Sequence, residues 1–181
     1  MTSTFSVARL SGPPASERPD LLAASTLLAL TSLGWLDQVG LAEIDPGISD
    51  TAATRDAYGL PDEALANCVV VSGKREGEER FAACVVLSST RADVNGLARR
   101  RLDVRKASFL PREQAVALTG MEYGGITAFG LPEDWPLLVD SRVARARLVV
   151  MGSGVRRSKL LVPGEMVGKL PRAEVLPRLG I

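Results

Sequence analysis

Between Thr119 and Gly130 the chain reads TGMEYGGITAFG, with four glycines in a loop expected to follow a helix and precede a strand. Glycine has no Cβ and accepts positive φ, so Gly124 and Gly125 can turn consecutive amides toward one point. Amides so arranged bind an anion, or the charge that gathers on a carbonyl oxygen when an ester is attacked. The same letters also spell a cap and a turn. Gly120 stands where a left-handed residue would close a helix over residues 111–119.

The remaining inventory narrows the chemistry. The 181 residues include no histidine and two cysteines, which removes Ser-His-Asp and Cys-His catalysis, histidine-containing zinc sites and a Cys₄ site. Acid-base or nucleophilic work falls to carboxylates, lysines, hydroxyls, thiols, backbone amides or the substrate itself.

These groups need a scaffold. Residues 67–73 and 81–88 are β-branched runs on either side of the charged stretch 74–80, a hairpin pattern. Pairing symmetric about Glu76 sets Cys68 opposite Cys84, with Cβ atoms roughly 4.5 to 5.5 Å apart. With no secretory leader in view, both thiols are expected to stay reduced in the cytoplasm. Residues 93–101 read as helix and 102–107 as a short strand, and Pro111 fits the first position of the next helix. Residues 135–140, 146–151 and 155–162 read as strands, 141–145 as a turn or helical step, and Pro163 as the start of a last short helix. Strands and helices without a regular βαβ repeat make the class α+β with a mixed sheet.

A hydrophobic content of 46% over this length fits one domain. The apolar run 21–36 is flanked by Glu17 and Asp20 and interrupted by hydroxyls, so it suits neither a signal peptide nor a membrane span. Leu21, Leu28 and Trp35, beside Leu22, Ala29 and Leu36, recur at seven-residue spacing as one face of an amphipathic helix. Residues 1–20 are expected to be a mobile arm and 21–181 the domain, with its core at about 50–170. Charge is uneven: residues 1–90 carry 6 Lys/Arg against 12 Asp/Glu, and residues 91–181 carry 16 against 9. A basic half suits nucleic-acid phosphates or a solvated face.

Order and spacing carry a resemblance. Ser49-Asp50-Thr51-Ala52-Ala53 leads to Gly59-Leu60-Pro61. Thr119-Gly120 then leads to Gly124-Gly125, Leu137-Leu138-Val139-Asp140-Ser141, Arg147-Leu148-Val149-Val150-Met151 and Gly152-Ser153-Gly154. Over roughly residues 50–170 this resembles the YbaK/prolyl-tRNA synthetase-associated domain family. The resemblance implies a mixed, barrel-like sheet with helices around it and a substrate crevice between loops. It also implies no metal and no cofactor, with a ribose hydroxyl of the tRNA or a substrate thiol assisting.

Mapped onto the family pattern, Asn67-Cys68 stands where a functional lysine and a small residue are usual, and Ala128 where the glycine loop usually ends in proline. Asparagine can hydrogen-bond but brings no charge. The amides of Gly125, Ile126, Thr127 and Ala128, after Gly124, are expected to surround an ester carbonyl oxygen. Asp140 either binds the substrate ammonium or a hydroxyl, or caps the 141–145 turn. Gly152, Ser153 and Gly154 either close over the aminoacyl side chain or form a plain turn. Lys159 either replaces the missing charge or faces solvent on a strand with Val155 and Arg157. Arg99, Arg100, Arg101, Arg105, Lys106, Arg156, Arg157 and Lys159 are candidate tRNA contacts. Tyr123, Phe129 and Trp135 are candidates to stack on the terminal adenine or to fill the core.

The expected activity is that of a trans-acting editing deacylase, hydrolysing the ester of a small mischarged amino acid on tRNA, with tRNA and a synthetase as partners. The alternative is a family member that has lost catalysis and binds aminoacyl-tRNA or a small aminoacyl compound. Neither the amino acid nor the oligomeric state follows from the sequence.

Overall fold

A computed structural model describes residues 4–181. The chain opens with the hairpin β1 (Phe5–Val7) and β2 (Leu10–Gly12), then α1 (Ala24–Leu33), β3 (Gly40–Glu43) and α2 (Thr51–Tyr58). The long hairpin β4 (Ala66–Arg75) and β5 (Glu78–Leu87) follows, with α3 (Arg99–Leu102), β6 (Ala107–Phe109) and α4 (Arg112–Thr119). The rest is β7 (Leu137–Asp140), α5 (Ser141–Arg145), β8 (Val149–Gly152), β9 (Ser158–Val162), α6 (Gly164–Gly168) and β10 (Ala173–Leu176). The α+β class is as the sequence reads, and Gly120 closes α4 at φ 67°.

The sheets do not close into a barrel. Among the described residues one sheet runs β10-β7-β5-β4-β6, a second runs β3-β9-β8, and β1-β2 stands beside them. The strands β10, β7 and β5 are parallel neighbours and the other pairs antiparallel. A single bridge, Leu65 to Val150, joins the two larger sheets. Ala83, Val85, Leu137 and Val139 from one and Leu41, Val149 and Leu160 from the other meet in the main core with Leu21, Leu30 and Phe129. The five-stranded sheet turns Val71, Ala82, Cys84 and Val86 to a second core under Val94, Ala98, Leu102 and Leu179. Each fully buried aliphatic or aromatic side chain contributes roughly 1.5 to 3 kcal/mol.

The structure corrects several sequence expectations. Residues 1–3 lie outside the described residues, but from Thr4 onward the expected mobile arm is packed structure, with Leu10 and Ala15 buried. The helix expected over 21–36 is shorter. Leu21 and Trp35 fall outside it, so its buried residues are Thr26 and Leu30, an i, i+4 pair, while Leu28 is 68% exposed. The long hairpin pairs about the Glu76-Gly77 bond, because a two-residue turn with φ of 52° and 86° joins Arg75 to Glu78. Cys84 therefore pairs with Val69, and Cys68 with Val85. The two thiols face opposite sides of the sheet, in separate cores.

Candidate active-site cleft

Beyond the Leu65-Val150 bridge the two sheets part, and the gap is a cleft of about 270 Å³. The start of β4 (Ala66, Asn67, Cys68, Val69) lines one side and the end of β8 (Val150, Met151, Gly152) the other. The N-terminus of α2, with Ser49, Asp50, Thr51 and Thr54, and the loop residues Tyr123, Gly124 and Ile126 complete it around Lys159.

Lys159 belongs to this cleft and not to solvent. All of β9 is buried, because it is the central strand of its sheet: Leu160 and Val162 face the main core, and Leu161 packs with Leu10, Ala42 and Val150 on the other side. The lysine is 7% exposed, and its Nζ donates to the Ser49 carbonyl at 2.7 Å. Burial, together with Arg156 nearby, lowers its pKa from 10.5 to about 8, against the opposing pull of Asp50. One N–H of the ammonium is spent on Ser49, leaving two for a ligand.

The partner of Lys159 across the β8-β9 ladder is Gly152. A Cβ on Gly152 would run into the carbonyl oxygens of Gly125 and Ile126. The glycine loop therefore lies directly over the ladder beside the lysine. The loop is fastened there: Gly154 N–H donates to Gly125 O at 2.7 Å and Glu122 N–H to Gly154 O at 2.9 Å. Gly124, at φ 86°, makes the turn and faces Ser49 and Arg156.

Asn67 lines the cleft as expected. Its Oδ1 accepts from Thr51 Oγ1 at 2.7 Å, so the acceptor end is occupied and the donor end of the amide remains. Cys68 lines it too, with its thiol pushed well up by burial and by Cys84, and so neutral.

Other expected site residues lie elsewhere. The Gly125 amide donates to Glu122 O and the Thr127 amide to Met121 Sδ, while Thr127 and Ala128 are buried outside the lining. Gly154 packs against Ala23 and Thr26. Ser153 is buried, with its hydroxyl bonded to Ser158. Asp140 is fully buried as the cap of α5. It accepts from Arg142 N, Nε and Nη2 and from Gly180 N, at 2.7 to 2.9 Å. Burial would raise its pKa, but these donors hold it below the usual carboxylate value.

The basic residues do not form one surface. Arg101 is paired with Glu174, and α3 sits by Arg75 and Arg80 at the turn end of the long hairpin. Asn67 is at the other end of β4, roughly 26 Å from Arg75 along the strand. Arg156 instead ties the rim together, donating to Tyr123 O and Pro46 O. Arg157 donates to the carbonyl of Asp20. Trp135 stacks on Phe81 and Phe129 is fully buried, so both are core. Tyr123 remains half exposed at the rim under Arg112.

A larger groove, about 720 Å³, runs between α1, α4 and residues 130–135. Its cation, Arg172, is bound to the carbonyls of Pro132 and Trp135. Among the described residues no cluster of histidine, cysteine or carboxylate side chains is arranged to hold a metal, and no helix is long and apolar enough to cross a membrane.

The sequence profile of the aminoacyl-tRNA editing domain matches residues 45–170, a span that contains the whole lining of that cleft. The chain belongs to this family. The editing domain shares its fold with a proposed trans-editing enzyme for prolyl-tRNA synthetase, at 20% identity and TM-score 0.71, covering 86% of this chain and 94% of the other. The hypothetical protein APE2540 is similar at 18% identity and TM-score 0.69, covering 81% and 97%. A scaffold protein used for epitope backbone grafting is similar at 21% and 0.67, covering 86% and 94%. No curated protein matches the sequence.

Sequence reasoning missed Ser49, Asp50 and Thr51 as cleft residues of the editing domain, although it singled out their segment. The available signal was the helix start itself: Asp50 caps α2 by accepting from Ala53 N at 2.9 Å, as an aspartate three residues ahead of a helical amide does.

Proposed function

We propose that this cleft hydrolyses the ester linking a small, wrongly attached amino acid to tRNA. The observation that carries the reading is Lys159. It stands inside the cleft, facing the space beside Asn67, and supplies the cation that Asn67 lacks. Water attacks the ester carbonyl, the carbonyl oxygen gains charge beside the ammonium of Lys159, and the bond to the ribose oxygen breaks as that oxygen takes a proton. A ribose hydroxyl orients the water, as the family resemblance implies. A cleft of this volume with Val69, Ile126, Val150 and Met151 in its wall favours a small side chain. Small apolar side chains differ by too little binding energy for a synthetase to reject them outright, which gives a separate hydrolytic sieve its use. Action in trans beside a synthetase follows the description of the structurally similar protein.

The test is a deacylation panel of alanyl-, cysteinyl-, seryl- and threonyl-tRNAs with wild type and Lys159→Met. Hydrolysis of at least one ester, lost in the lysine variant, is the expected result. No hydrolysis of any of them rejects the proposal. The second reading, a binding module without catalysis, draws on Asn67 and Ala128. It predicts tight binding without turnover, and turnover gained in Asn67→Lys.

A further inference from the structure

The cleft holds a hydroxyl that none of the described residues uses. Ser49 is 1% exposed, and its Oγ has no hydrogen-bond partner. It lines the cleft, and a Cβ built on Gly124 would lie 3.4 Å from it. The hydroxyl thus sits against the left-handed glycine of the loop, while the carbonyl of the same residue anchors Lys159. A buried hydroxyl without a partner is disfavoured, and it is tolerated where a ligand completes it. Of the four amides expected to hold the substrate oxygen, two are meanwhile committed: Gly125 N–H to Glu122 O and Thr127 N–H to Met121 Sδ.

We infer that Ser49 is a further catalytic residue, whose hydroxyl donates to the carbonyl oxygen of the bound ester beside the Lys159 ammonium. The inference rests on the deacylase reading. Ser49 neither gains nor loses a proton in the step. The bond from water oxygen to carbonyl carbon forms, the bond to the ribose oxygen breaks, and a proton from water ends on the ribose. The carbonyl oxygen becomes an oxyanion and reverts, so a donor fixed on it counts most at the transition state.

The test measures kcat, KM and thermal midpoint for wild type, Ser49→Ala and Ser49→Cys on the ester that wild type hydrolyses best. In Ser49→Ala, kcat should fall about 100-fold with KM within about threefold. Its midpoint should hold or rise, because an unpaired buried hydroxyl is removed and the backbone carbonyl that holds Lys159 stays. Ser49→Cys, a weaker donor of similar shape, should give an intermediate kcat and serves alone if the alanine variant does not fold. A merely structural serine would leave kcat unchanged, and wild-type kcat in either variant overturns the inference while leaving the deacylase reading intact. A wild type inactive on every ester removes both.

Discussion

Lys159 Nζ donates to the Ser49 carbonyl at 2.7 Å, tying the central strand β9 to the residue before the cap of α2. One hydrogen bond thus holds a buried cation at the mouth of a helix.

Burial of that amine has a cost that pH can remove. The folded state holds Lys159 at about 8 and the unfolded chain at its ordinary 10.5, so between these values the unfolded state binds more protons. Stability should therefore rise with pH through this window, by on the order of 3 kcal/mol over its full width. Denaturant midpoints from pH 7 to 10.5 should climb in wild type relative to Lys159→Met. A constant difference between the two would reject the burial argument.

Catalysis should run the other way. If the ammonium polarises the ester, enzyme-dependent kcat/KM, corrected for spontaneous hydrolysis, should decline as pH passes about 8. A rise through the same range would mark Lys159 as a base instead.

Gly152→Ala should cost about 1 to 3 kcal/mol and displace the glycine loop, since the new methyl meets the carbonyls of Gly125 and Ile126. Calorimetry reads the first effect, and loss of aminoacyl-tRNA binding reads the second. A variant with unaltered binding would separate the loop position from the cleft.

Asp140→Ala should act on the scaffold alone. It strips Arg142 and the Gly180 amide of their acceptor and should cost about 3 kcal/mol. Activity per folded molecule should stay close to that of wild type, because Asp140 lies outside the cleft lining. A selective loss of activity without destabilisation would return Asp140 to the candidate site.

The Cys68 thiol should be slow to alkylate at pH 8, because burial first, and Cys84 second, disfavour its thiolate. Iodoacetamide labelling followed by mass should show a rate at least about tenfold below that of a free thiol. Rapid labelling would make Cys68 a nucleophile to consider.

Local patterns carried the fold class, the long hairpin, the helix cap at Gly120 and the order of the last strands. Period-two reading failed at β9, because alternation marks a strand with one wet face and β9 has none. Hence the alternation favoured a solvent-facing Lys159, and the structure places it in the cleft instead. Register failed by one residue at the hairpin, where the turn type decides and composition does not. Of the candidate site, Asn67, Cys68, Gly124, Ile126 and Gly152 were found through order of motifs. Ser49 was not, since an unpartnered hydroxyl is a property of three-dimensional surroundings.

The segment before α1 has a use beyond packing. Residues 13–15 run along the outer side of β3, with Leu41 N–H donating to Pro13 O, Ala15 N–H to Val39 O, and Pro14 bridged to Gly40. They occupy the hydrogen-bonding edge that β3 would otherwise offer to another chain, and the proline ends the ladder there. A shortened protein starting after residue 15 would bare that edge and should self-associate, which sedimentation at rising concentration would read.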